Sequence, residues 1–199
     1  MGGGHPFDRD GLVEALRELG RRAYEAGATI EVSVYGGSAL MLTYPWRVST
    51  KDVDAMFRGD RALLRRLVAD IAEERGWEPD WLNDGVKGFL AAGDADPRSK
   101  ALFGTFPSES EPGLRVMVAT PEYLFAMKCR AMRVGGVDEN SDIDDICRLA
   151  AEIGVTTVEQ ALELVSQFYP HSLLPPKTQY GLEEILGGLD ERPSPGMRP

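Results

Sequence analysis

Apolar positions recur along this chain with two periods, and the periods predict its elements. Between 8 and 26, Leu12, Leu16, Leu19 and Ala23 fall at the three-to-four spacing of one helix face. Asp8 or Asp10 is placed to cap that helix, and Gly27 to end it. "TIEVSVYGG" (29–37) alternates and is β-branched, which predicts a strand. "SALMLTY" then reads as a short helix stopped by Pro45, and "KDVDAMF" (51–57) as a second strand. Residues 60–76 form a well-patterned helix with Asp60 as its cap. From 77 to 113 the chain is rich in Gly, Pro, Asp and Ser. It reads as a turn, a short helix around 81–91, a loop and an edge strand near 101–106. "GLRVMVAT" (113–120) is a third clear strand. Pro121 opens a helix, since proline suits a first turn, and three more helices follow at 140–154, 156–169 and 178–189.

That order predicts an α+β fold, a small mixed sheet flanked by helices with a helical C-terminal half. The expected division is an α/β core over 1–120, a helical half over 121–189 packed on it, and a flexible tail over 190–199. At 199 residues the chain is long enough for a proper core. It holds no run of 18 apolar residues, so no membrane partner is expected. "MGGGHPFDRDG" lacks a basic flank and an apolar stretch, so no secretory signal is expected and the cytoplasm is the default location. Two cysteines, Cys129 and Cys147, make no disulfide framework. With His5 and His171 they give too few ligands at any usual spacing for zinc. A net charge of −10 argues against broad, charge-driven nucleic-acid binding. Two local basic segments remain: "RALLRRL" (61–67), read as a solvated helix face, and "MKCRAMR" (127–133).

The candidate chemistry lies in "YGGSALMLTYPWRVSTKDVDAMF" (35–57). In a strand, Asp52 and Asp54 share a side, roughly 6.6 Å apart, with Val53 turned the other way. Neighbouring carboxylates repel unless a cation satisfies both. Mg2+ (or Mn2+), which takes oxygen ligands at about 2.1 Å and keeps waters and substrate phosphates in its shell, suits that pair. Upstream, Gly36 and Gly37 let backbone N–H groups approach a phosphate at a helix start, and Ser38 adds a hydroxyl. Each part alone has a plainer reading, a turn for "GGS" and an edge-strand pattern for "DVD". Together, on adjacent strands, they are more specific.

"GGSAL…TKDVDAMF" resembles the glycine–serine and DxD signature of the DNA polymerase beta-like nucleotidyltransferase superfamily. "VATPEYLFAMKCRAMR" followed by "DIDDI" is similar to the nucleotidyltransferase toxins of the AbiEii/AbiGii group, MenT-type toxins included. The resemblance spans about residues 30–150. It implies a nucleotidyltransferase-type sheet and transfer of a nucleoside monophosphate from an NTP substrate to an acceptor. That acceptor is the 3′ end of tRNA in the best-known relatives, with a protein acceptor as the weaker option. It also implies an antitoxin protein as partner. Asp52 and Asp54 would ligate the metal. Gly36, Gly37, Ser38, Lys51, Lys128 and Arg133 would bind the nucleotide. Asp142 and Asp145, on one helix face, would orient Lys128, complete the metal shell or act as base.

One departure stands out. Many enzymes of the superfamily carry a third carboxylate on a later central strand. "LRVMVA" (114–119) has none, with Val116 and Val118 read as occupying its place. The alternative is therefore a non-catalytic protein of the same fold, binding a nucleotide or a partner protein. Trp77 and Trp81 read as core or lid packing rather than base-stacking platforms. His171 and Lys177 fall in a proline-rich connection with no defined partner.

Overall fold

A computed structural model describes residues 7–91, 97–132, 139–170, 174 and 176–190. The fold is α+β, seven helices and a five-stranded mixed sheet among those residues. Arg133, His5, His171, the 190–199 tail beyond its first residue and the side chain of Lys177 lie outside them. No helix among the described residues is long and apolar enough to cross a membrane.

The chain divides into two compact units. The first comprises Met1–Gly88 and Lys100–Thr120, and the second Phe89–Ser99 and Pro121–Pro199. In the first unit, α1 (Arg9–Glu25) is capped by Asp8, whose carboxylate accepts from the Gly11 N–H. β1 (Ile30–Val34) leads into α2 (Gly36–Thr43), and β2 (Val53–Arg58) into α3 (Arg61–Arg75). Asp60 caps α3 by accepting from the Ala62 and Leu63 N–H groups, and Gly76 closes it in the left-handed conformation. Then come β3 (Leu82–Asn83), a 3-10 turn (Gly85–Phe89), β4 (Lys100–Pro107) and β5 (Pro112–Ala119).

The strand order is β3-β2-β1-β5-β4. β1 runs parallel to β5 and antiparallel to β2; β2 and β3 are parallel, β4 and β5 antiparallel. Ile30, Val32, Val34, Val53, Ala55, Leu114 and Val116 share one face by register and are buried. α1 packs along β5 and β4, and α3 packs on α1. Gly20 on α1 makes that approach close: a methyl group there would lie 2.6 Å from the Phe106 carbonyl oxygen. A methyl at Gly113 would run into the Gly20 carbonyl. Side-chain-free backbone at these two positions lets helix and sheet nearly touch.

The sequence expectation of a helix around 81–91 is corrected. Leu82 and Asn83 pair with Val53 and Asp54 as a strand, and only a 3-10 turn follows. Trp81 fixes that segment: it is buried, donates its indole N–H to the Val68 carbonyl at 3.1 Å, and clusters with Phe7 and Trp77. Trp81 is core, whereas Trp77 is only half-buried and packs edge-on against it.

The second unit is built on α4 (Pro121–Ala131), α5 (Glu139–Ile153), α6 (Val158–Phe168) and α7 (Pro176–Asp190). A capping box starts α6, with Thr157 accepting from the Gln160 N–H. Tyr123 of α4 stacks on Phe168 at 4.9 Å. Residues 89–91 are pinned to this unit. Tyr169 donates its hydroxyl to the Phe89 carbonyl at 2.7 Å, Arg130 donates to the same oxygen at 2.8 Å, and the Ala91 N–H donates to the Tyr123 hydroxyl at 2.9 Å. Cys129 and Cys147 are not disulfide-bonded.

Candidate functional site

β1 runs extended through Tyr35, whose N–H donates to the Asp54 carbonyl at 2.9 Å, and then turns. The turn is made by Gly36 at φ +59°, a conformation that favours glycine, so α2 starts at once behind it. Asp54 leans on this turn. A methyl at Gly36 would lie 3.3 Å from Asp54 Oδ2, and one at Gly85 would lie 3.4 Å from Asp54 Oδ1. The two oxygens of a half-buried carboxylate therefore each face a glycine, and a Cβ would narrow the space on either side.

Asp52 is exposed and lies one residue before β2, which starts at Val53 rather than at 51. The Val53 N–H donates to Trp81 O at 2.7 Å and its side chain is buried, so the expected inward turn of Val53 holds. Carboxylate oxygens are the donors a hard cation takes. Both residues offer carboxylate oxygen, and the glycine-flanked space lies beside one of them. Among the described residues no three His, Cys, Asp or Glu converge on a metal position. The chain thus offers two carboxylates, a number Mg2+ accepts by retaining waters and taking phosphate oxygens.

Ser38 departs from its expected part. It is 1% exposed, and its hydroxyl donates to the Tyr35 carbonyl at 2.9 Å, the back-bonding typical of a serine inside a first turn. Its proton is spent on the backbone. Lys51 is exposed, two residues from the strand.

Two cations that the sequence pattern did not single out stand at this end of the sheet. A methyl at Gly37 would lie 3.3 Å from Arg47 Nη2 and 3.1 Å from Thr50 Oγ1, so the half-buried guanidinium rests on the second glycine. Lys100 comes in through register. It pairs with Ala119, Ala119 is the neighbour of Tyr35 by the Val34–Val118 pairing, and Tyr35 faces Asp54, which pairs with Asn83. Asn83, Asp54, Tyr35, Ala119 and Lys100 form one row across the sheet, side chains on one face. Lys100 Nζ lies 3.5 Å from the Tyr35 hydroxyl.

The same register corrects the place of the absent third carboxylate. Val116 and Val118 are on the other, buried face. On β5, the residues sharing Asp54's face are Gly113, Arg115, Met117 and Ala119, and none is acidic.

In the second unit, Lys128 is held by both acids of the later motif. Its ammonium lies 2.8 Å from Asp142 Oδ1 and 2.9 Å from Asp145 Oδ2. The side chains are 17%, 22% and 3% exposed. The triad carries two negative charges against one positive. The segment 127–133 presents no basic patch among its described residues: Lys128 is ion-paired and Arg130 lies over the Tyr169 ring at 4.9 Å. The arginines of 61–67 are exposed, as a solvated helix face requires.

Comparison with known proteins returned no match: no family model, no curated protein and no solved structure.

Proposed function

We propose that this protein is a Mg2+-dependent nucleotidyltransferase that moves a nucleoside monophosphate from an NTP to an RNA acceptor, the tRNA 3′ end, as the toxin of a toxin–antitoxin pair. The observation carrying this reading is the Asp54 carboxylate set between two glycines at the turn that opens α2. Gly36 and Gly37 contribute backbone N–H groups at a helix start, where a phosphate oxygen is favoured by both hydrogen bonding and the helix dipole. Asp54, with Asp52, would hold the cation. When bound, the cation supplies charge neutralisation to the phosphates as negative charge builds up on them. The protein's own contribution is positioning and fixed electrostatics, the usual demand of phosphoryl chemistry. Lys128, with Asp142 and Asp145, enters this reading through the family resemblance alone.

A second reading, a nucleotide or partner binder without transfer, is favoured by Met117 and Ala119, which leave Asp54's face of β5 without an acid. One assay separates the two. Each α-labelled NTP is incubated with the protein, Mg2+ and either total RNA or a protein extract. Label on RNA that EDTA abolishes, lost in Asp52→Ala and Asp54→Ala, is the expected result. Label on protein instead moves the acceptor assignment. Nucleotide binding without label supports the second reading. Undiminished transfer in both alanine variants refutes the site.

A further inference from the structure

β3 has two residues, so the ladder that aligns this edge of the sheet ends at the Asp54–Asn83 pair. Before that pair, the chain is anchored through the core. Trp81 is buried, its carbonyl accepts from the Val53 N–H at 2.7 Å, and its indole donates to the Val68 carbonyl of α3. Past the pair, a side chain takes over from the ladder. Asn83 Oδ1 accepts from the Gly85 N–H at 2.8 Å, and its Nδ2 donates to the Asp80 carbonyl at 3.4 Å. This closes a tight turn directly against Asp54. A methyl at Gly85 would lie 2.9 Å from Asn83 Oδ1 and 3.4 Å from Asp54 Oδ1. The Gly85 backbone therefore lies beside a side-chain oxygen of each member of one cross-strand pair. An amide suits this position chemically. It accepts the N–H as a carboxylate would, and it adds no second negative charge opposite Asp54, where like charges on paired strands repel.

We infer that Asn83 is a positioning residue: by holding the Gly85 backbone against one carboxylate oxygen of Asp54, it keeps that carboxylate in the orientation in which it takes a cation. The inference rests on the reading of Asp54 as a metal ligand and deepens it, because that reading names no residue of this turn. Asp54 has a further interaction of its own, and Asp52 is untouched by a change at 83. Losing the Asn83 side chain therefore weakens cation binding without abolishing it. Removing an outer partner of a metal ligand typically lowers metal affinity about 10-fold or more.

The test pairs two readouts on the full chain, wild type and carrying Asn83→Ala or Asn83→Ser. The first is exchange of the Gly85 amide proton with water, read by NMR without metal. The second is calorimetric titration of Mn2+, alone and with each NTP. Asn83→Ala should speed Gly85 exchange about 5-fold, the loss of one hydrogen bond, and weaken Mn2+ binding about 10-fold. Its unfolding midpoint should stay close to wild type, because Asn83 is only half-buried. A serine hydroxyl can accept the same N–H, so Asn83→Ser should fall between the other two proteins in both readouts. Where Asn83→Ala fails to fold, the ranking of Asn83→Ser against wild type decides. Faster exchange with unchanged Mn2+ affinity leaves Asn83 a purely structural part and overturns the inference. Weaker Mn2+ binding with unchanged exchange makes Asn83 a contact of the cation itself and overturns it as well. Asp54→Asn separates the failures. If it lowers Mn2+ affinity while Asn83→Ala does not, the nucleotidyltransferase reading stands without the inference. Unchanged Mn2+ affinity in Asp54→Asn, or no Mn2+ binding by wild type in any condition, overturns both.

Discussion

Two carboxylate centres, one in each unit, are built in opposite ways. Asp54 stands between Gly36 and Gly85, where a methyl on either glycine would crowd a carboxylate oxygen, at 3.3 and 3.4 Å. Asp142 and Asp145 close on Lys128 at 2.8 and 2.9 Å, and Asp145 is almost fully buried. The first arrangement sets a carboxylate against glycine backbone rather than against packed side chains. The second satisfies charge with charge and gains rigidity between α4 and α5. Acidic residues in a short motif therefore do not share one role by being acidic. What surrounds each carboxylate decides what it can do.

The two centres should differ most in their response at Asp54. Asp54→Ala should lower label transfer by about a thousandfold, the scale of losing a main electrostatic element of a site. Its urea unfolding midpoint should stay close to wild type, because Asp54 is only half-buried and its oxygens lie beside glycines rather than in the packed core. A large loss of stability would place Asp54 with the structural acids. Lys128→Met probes the other centre. It strands two carboxylates in a largely buried position, and should destabilise the protein by about 3 kcal/mol in urea unfolding at pH 7. The triple variant Lys128→Met/Asp142→Asn/Asp145→Asn should regain most of that loss. A single variant as stable as wild type would remove the structural reading of the triad.

Gly36→Ala sharpens the contrast at smaller cost. The left-handed φ of +59° makes alanine unfavourable by about 1 kcal/mol, and its methyl would press on Asp54 Oδ2. Transfer should fall much more than stability does. The smallest effect lies far from both centres. Hydrogen bonding from Arg21, opposed by desolvation and aided by Arg22, lowers the Glu18 carboxyl to about 2. An ordinary glutamate titrates near 4.3. The contribution of Glu18 is therefore complete above about pH 5, and fades as pH falls toward 2. Glu18→Gln should destabilise by less than about 1 kcal/mol at pH 7, since the pair is solvent-screened. The gap to wild type in thermal unfolding should close near pH 2.

Legibility in the sequence followed the length of each pattern. α1 and α3 repeat their apolar positions over four turns; the Asp60 cap was readable, while for α1 the sequence left Asp8 and Asp10 both open and the structure uses Asp8. β1 and β5 alternate over five and eight residues, enough to show a strand. β3 has two residues and no period, so Leu82 and Asn83 were absorbed into an expected helix. Lys100 was invisible for another reason. Its relation to Asp54 runs through three strand pairings and is a property of register, not of local sequence. Register also explains the misplaced third acid. Met117 is as apolar as Val116 and Val118, so composition could not tell the open face from the buried one. Arg47 sits in an irregular connection, where only the glycine beneath it gives a clue.

In the proposed function, the Asp54–Gly36 corner receives the metal-bound phosphates of a nucleotide. Calorimetric titration of Mg2+·NTP into wild type and Asp54→Asn, at matched unfolding midpoints, tests it most directly. Saturable binding by wild type, weakened about 100-fold or more in the variant, is the predicted result. Equal affinity in the two proteins would contradict it.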